Sequence, residues 1–315
     1  MQYIAGHNNV NKNALQQQTA GCKEACANVA QAHIFSYICM FMSLHKDTMN
    51  LNNLVSYHEP QEKDLNQLIE IMNYTEFERL ISQKRLRRYL QACDGNTRKA
   101  MTLYRYNVEL AQSVFGIIGF FEVALRNAIN NELTQYLGQE WLKDSCEPGG
   151  IFDKLSTHKT KKIIDKAYQK LLNDGLYSHT KLLAEMEFGV WKYMFSPVQY
   201  SQTGKCLLHI FPNKPKSSAQ AQYNASYVFN ELDKINNLRN RIAHHEPICF
   251  PTNGGVIYTS YIKNEYNKIL TLLQWMGIDS KRFLYGLDHV TRVCDKIDKL
   301  KVTKTKPTSL TYVRG

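Results

Sequence analysis

Apolar residues along this chain recur mainly at intervals of three and four, the period of helices lying against a core. The pattern starts at residue 61, with Leu65, Leu68, Ile69 and Met72. A helix capped by Thr75 is then predicted to carry Phe77, Leu80, Ile81, Leu86 and Leu90, with a turn at Asp94-Gly95-Asn96. A long helical segment follows through Leu103, Asn107, Leu110, Val114, Ile117, Phe121, Leu125 and Ala128, and Gly138 stands where a C-terminal cap belongs. About forty residues is long for one globular helix, so a kink or break is expected near Gly116 or Gly119. Beyond the Glu147–Gly150 loop, helices are predicted over 151–173 and 179–195, the second stopped by Ser196-Pro197. Residues 197–216 are less regular, and helices over 218–245, 256–276 and 280–300 complete the chain. Strand-like alternation is nearly absent, so the expected fold class is all-α.

The ends read differently. Asn and Gln dominate the first twenty residues, and no helical period persists through residues 1–48. These are expected to be a poorly ordered extension, with Met49 opening the working protein. Residues 49–301 are read as one helical domain and 302–315 as a basic tail. No segment offers the ~18 consecutive apolar residues of a spanning helix. The best run, Ile34–Leu44, also lacks the flanks of a signal peptide. The expectation is a soluble, cytoplasmic protein with no membrane partner. Eight cysteines without a CxxC pair fit free thiols in a reducing compartment better than a disulfide scaffold.

Composition adds little to this picture, since 43% hydrophobic and 21% charged residues are ordinary for a globular chain of 315 residues. Charge adds more. The formal net charge is +11, but residues 49–150 carry −2, whereas 151–246 and 247–315 each carry +6. A polyanionic partner would meet the C-terminal half. Lys84-Arg85-Leu86-Arg87-Arg88 is a local exception, read as a solvated helix face.

The most informative segment is Leu232–Pro247. At 100° per residue, Val228, Leu232, Ile235, Leu238 and Ile242 make an apolar stripe, and Asp233, Asn237, Asn240 and His244 a polar one. Asn240 stands one turn from His244 and is expected to hydrogen-bond its ring, selecting a tautomer. Arg239 projects within the apolar stripe, where a permanent cation needs a buried carboxylate or an anionic ligand. It lies about 140° around the helix from His244, so one regular helix cannot aim both at one atom. Either the helix end distorts before Pro247, or two copies assemble the site across a twofold axis. Paired imidazoles and guanidinium groups suit cleavage of RNA without metal. Histidine moves protons near neutral pH, arginine neutralises charge on phosphate oxygens, and the 2′-hydroxyl is the nucleophile. The competing reading is structural, with His244 serving the helix C-terminus.

Arg239-Asn240-Arg-Ile-Ala-His244 resembles the R-x4-6-H motif of the HEPN superfamily. More closely, the chain resembles Abi-like (abortive infection) bacterial proteins over roughly residues 75–290. The matching phrases are Leu103–Asn107, Phe121–Ile129, Gly138–Trp141, Phe188–Trp191 and Leu238–Pro247. The resemblance implies a HEPN-like helical bundle with long antiparallel helices and a role in phage defence. It implies a toxin-like, metal-independent endoribonuclease acting as a homodimer with a composite active site, without cofactor, and answering to an antitoxin or phage trigger. The alternative is a non-catalytic module of the same fold that binds RNA, a nucleotide or a protein. Carried over by position, Arg239 and His244 are the catalytic pair and Asn240 the supporting residue. His245 satisfies the looser spacing, and Arg241 is a further supporting candidate. Arg126-Asn127 mimics the start of the motif, but no His follows; Asn130 and Asn131 stand there instead. Arg126 is either a structural partner of Glu122 or, with Asn127, Lys161 and Lys162, a contact for RNA phosphate. A zinc site at His244-His245-Glu246 and Cys249 fits no closed spacing, so no metal is expected. Trp141, Trp191 and Trp275 are read as packing residues.

Overall fold

The computed structural model describes residues 72–301, which lie within one unit beginning at Ile69. The expected boundary at 48/49, the periodic run Leu65–Ile69 and the 302–315 tail fall outside the described residues. Helix accounts for 67% of the described residues and strand for none, as an all-α fold requires. The helices are α1 (Tyr74–Ile81), α2 (Gln83–Ala92), α3 (Thr97–Leu137), α4 (Trp141–Asp144), α5 (His158–Asn173) and α6 (His179–Glu185). They continue with α7 (Phe188–Tyr193), α8 (Pro197–Gln202), α9 (Ala225–Ala243), α10 (Ser260–Trp275), α11 (Ser280–Phe283) and α12 (Val290–Asp298). Short 3₁₀ turns occupy Leu155–Thr157 and Cys206–Ile210.

Helix α3 is the spine. Its 41 residues run unbroken through Gly116 and Gly119, so no break falls at either glycine. The physical reason is packing: Leu103, Leu110, Val114, Ile117, Phe121, Leu125, Ile129 and Leu133 are all buried along its length. Helices α2, α7, α9, α10 and α12 lie against it and supply the continuity that isolated helix propensity would not. Asn96 caps its start through a side-chain bond to Lys99 N, and Gly138 ends it at φ 93°. Gln112, Ser113, Glu122 and Arg126 interrupt its apolar residues, so it holds no long unbroken apolar run. Yet an 18-residue window of it, with mean hydropathy 1.6, is long and apolar enough to cross a membrane by length and composition. One third of that window is buried inside the protein.

Other boundaries move for local reasons. Asn73, not Thr75, caps α1, its side chain accepting from Glu76 N at 2.9 Å. The predicted helix through Leu90 breaks at Ser82, whose φ of 81° ends α1 and whose hydroxyl caps α2. The helix expected over 179–195 divides at Met186 and Glu187, both extended. Pro197 does not simply stop a helix but opens α8, at the position where its missing N–H costs nothing. The tryptophans are core residues: Trp141 and Trp191 are fully buried, and Trp275 packs among Phe211, Tyr223 and Tyr227. The five described cysteines are free and buried.

Candidate functional site

Helix α9 carries the Arg239–His244 segment. Asn224 caps its start by accepting from Tyr227 N at 3.0 Å. Its predicted apolar stripe, Val228, Leu232, Ile235, Leu238 and Ile242, is buried in full. The helix stays regular to its last turn, where His244 N donates to Asn240 O at 3.0 Å. It then closes in a Schellman cap. His245 N donates to Ile242 O and Glu246 N to Arg241 O, both at 2.9 Å, with His245 at φ 55°. The helix therefore ends two residues before the predicted 245. Of the two routes to a shared site, distortion of the helix end does not occur within one chain. Arg239 and His244 stay about 140° apart around a regular helix.

Asn240 does not bond the His244 ring. Its carboxamide oxygen instead accepts a long 3.4 Å bond from Nη1 of Arg239. The reason is exposure: the rings of His244 and His245 stand in solvent at the helix end, whereas Arg239 and Asn240 are half-buried together. The other end of the polar stripe is structural. Asp233 accepts from the buried Lys192 of α7 at 2.7 Å and from Asn237 at 3.1 Å. The Lys192 ammonium also lies 4.5 Å from the Tyr193 ring centre and 5.6 Å from that of Phe229.

Arg239 lies within the electrostatic field of Glu122 of α3, a half-buried carboxylate. Burial pushes its pKa up to about 7; the positive fields of Arg239 and Arg126 oppose that rise, and Glu187 adds to it. Arg126 is thus both the i+4 neighbour of Glu122 and a member of the charge group around it. Asn127, on the same helix, is exposed. Asn131 occupies the position where the mimic motif would need a histidine, and Asn130 before it does structural work. Its Oδ1 accepts from Trp141 Nε1 and His179 Nε2, both at 2.9 Å.

The turn after His244 is held from three sides. Arg241 donates to Glu246 at 3.3 Å, Pro247 O at 2.9 Å and Phe250 O at 3.2 Å, which commits it to the turn. Asn107 of α3, buried, accepts from Ile248 N at 2.8 Å and Cys249 N at 3.0 Å. From α2, Arg85 Nη1 donates to His245 O at 3.1 Å, and Arg88 Nε donates to Gly254 O at 2.6 Å. Asn107, Arg85 and Arg88 were not among the sequence-derived site residues. The signal for Asn107 was an amide in an apolar helical register.

Lys161 pairs with Asp153 at 2.7 Å and lines a depression of about 350 Å³ together with Lys143, Cys146, Asp165 and Tyr168. Lys162 beside it is exposed. None of the residues lining that depression, or a second one of about 420 Å³ between α10 and α11, is Arg239, Asn240 or His244. Among the described residues no group of three or more His, Cys, Asp or Glu is placed to hold a metal ion.

A protein-family model described as "Abi-like protein" matches residues 67–249, a span that includes α1 to α9 and the turn after His244. Neither the curated proteins nor the solved structures contain a match.

Proposed function

Because the chain belongs to the Abi-like protein family, whose name points to abortive infection, we propose that it is a cytoplasmic, toxin-like effector of phage defence that cleaves RNA without metal. The reading further takes the fold as HEPN-like and Arg239–His244 as its R-x4-H motif. The observation that carries it is the end of α9, where a regular helix presents an exposed His244 one turn from the Arg239–Asn240 pair. His244 takes the proton of a ribose 2′-hydroxyl as that oxygen attacks the adjacent phosphorus. The leaving 5′-oxygen takes its proton from solvent water, and a cyclic phosphate remains. Arg239 neutralises the charge that builds on the phosphate oxygens. Asn240 orients Arg239, not the imidazole. Because Arg239 and His244 diverge around a regular helix, Arg239 of one copy works with His244 of a second across a twofold axis.

The test is cleavage of a labelled single-stranded RNA in EDTA. Wild-type protein is expected to cut, and His244→Ala and Arg239→Ala to lose at least about 10²-fold in rate while remaining folded by circular dichroism. Undiminished cleavage in either variant overturns the assignment. A second reading is favoured by Glu122, a half-buried carboxylate whose field already acts on Arg239. On that reading Arg239 is structural and the protein is a non-catalytic module. It predicts salt-dependent RNA binding retained in His244→Ala, and no cleavage by any form.

A further inference from the structure

Helix α2 carries Lys84, Arg85, Arg87 and Arg88 and no carboxylate. The fold sorts these cations by task. Arg88 turns inward, donating to Pro251 O and Gly254 O and lying 4.7 Å from the centre of the Phe250 ring. Arg85 stays exposed yet reaches His245 O at 3.1 Å. Lys84 and Arg87 are exposed. The basic helix is therefore fastened to the turn that follows His244, although about 160 residues of chain separate them.

Helix stability does not explain this charge. Lys84 and Arg85 sit in the first turn, where the helix dipole disfavours cations, and like charges three and four apart repel. The carboxylates next in sequence to the contact are engaged elsewhere. Glu246 pairs with Arg241 at 3.3 Å, and Glu78 accepts from the Tyr74 hydroxyl at 3.1 Å. An uncompensated cationic face thus borders the exposed imidazoles.

We propose that Lys84, Arg85 and Arg87 form a phosphate track that receives the backbone of the RNA strand running past His244. The ligand class rests on the nuclease reading; the surface itself rests on the α2 contact. The track gives affinity without sequence preference, because it meets phosphates and not bases.

Binding of a fluorescein-labelled single-stranded RNA is measured by anisotropy in EDTA, with every variant built on His244→Ala so that the probe survives. Lys84→Glu/Arg87→Glu leaves Arg85 and the turn in place. It is expected to weaken binding roughly tenfold or more and to flatten the dependence of log affinity on log salt by about 1.4, the value for two phosphates on a single strand. Lys281→Glu/Arg282→Glu on α11 removes the same charge elsewhere and is expected to bind like its parent. Equal affinity in Lys84→Glu/Arg87→Glu, or equal weakening in both double variants, overturns the track. If the track fails while wild-type protein still cleaves RNA, the nuclease reading stands alone. If binding depends on the track and wild-type protein never cleaves, the track stands and the nuclease reading falls.

Discussion

Glu122 has two arginines in its field and still protonates near neutrality, because the cost of burying its charge exceeds what Arg239 and Arg126 return. The sign of the consequence follows. An ordinary carboxyl here would ionise near 4.5, whereas the folded one holds its proton to about 7. Stability from this group is complete below the unfolded value and is lost as pH rises through the folded one. Glu122→Gln removes that loss, so its melting temperature relative to wild type is expected to climb between about pH 5 and about pH 8. A pH-independent difference contradicts the assignment. Asn107 makes a second residue-scale prediction. Its oxygen is the acceptor for Ile248 N and Cys249 N, and an unmet buried donor costs about 1–3 kcal/mol. Asn107→Ala is therefore expected to lower unfolding free energy by about 2–4 kcal/mol in a urea titration, and a loss under about 0.5 kcal/mol contradicts the role. Periodicity places Asn107 and Glu122 on α3 and pairs Glu122 with its neighbour Arg126, but it cannot bring Ile248 and Cys249 to Asn107 or Arg239 to Glu122, because each lies more than a hundred residues away.

At the scale of elements, the sequence announces the helices better than their ends. The buried stripe of α9 was readable residue by residue because period and burial are one fact seen twice. Breaks at Ser82 and Met186 were not, because serine and methionine carry no fixed backbone preference and tertiary packing decides there. The α3 glycines misled for the same reason: they weaken a helix locally, but the surrounding core keeps it whole. An added Cβ at Gly116 or Gly119 meets nothing within 4 Å. Gly116→Ala and Gly119→Ala are each expected to add about 0.5–1 kcal/mol by denaturant unfolding, and a net loss contradicts an open site in the monomer. The cap of α9 yields a prediction that also separates two candidates. His245 occupies the left-handed position usually given to glycine. His245→Gly is expected to stabilise by about 0.5–1 kcal/mol and keep RNA cleavage, because only its backbone is used. Loss of cleavage with retained fold transfers the catalytic role from His244 to His245.

For the whole molecule, sequence charge and fold act together. The C-terminal half holds most of the +11 excess, but the fold also brings α2, from the slightly acidic half, beside the end of α9. Charge counted along the chain missed that patch, since only folding joins residues 85 and 245. The same scale decides whether Arg239 and His244 can share a site, because the regular end of α9 keeps them on different faces of one chain. The most direct measurement uses a heterodimer, isolated through two different tags, of one Arg239→Ala chain and one His244→Ala chain. If Arg239 of one copy serves His244 of the other, one site loses both groups and the second keeps both. The isolated species is then expected to cleave RNA in EDTA at about half the wild-type rate, although each parent homodimer is inactive. A doubly tagged species as inactive as its parents, or no doubly tagged species at all, contradicts the composite site.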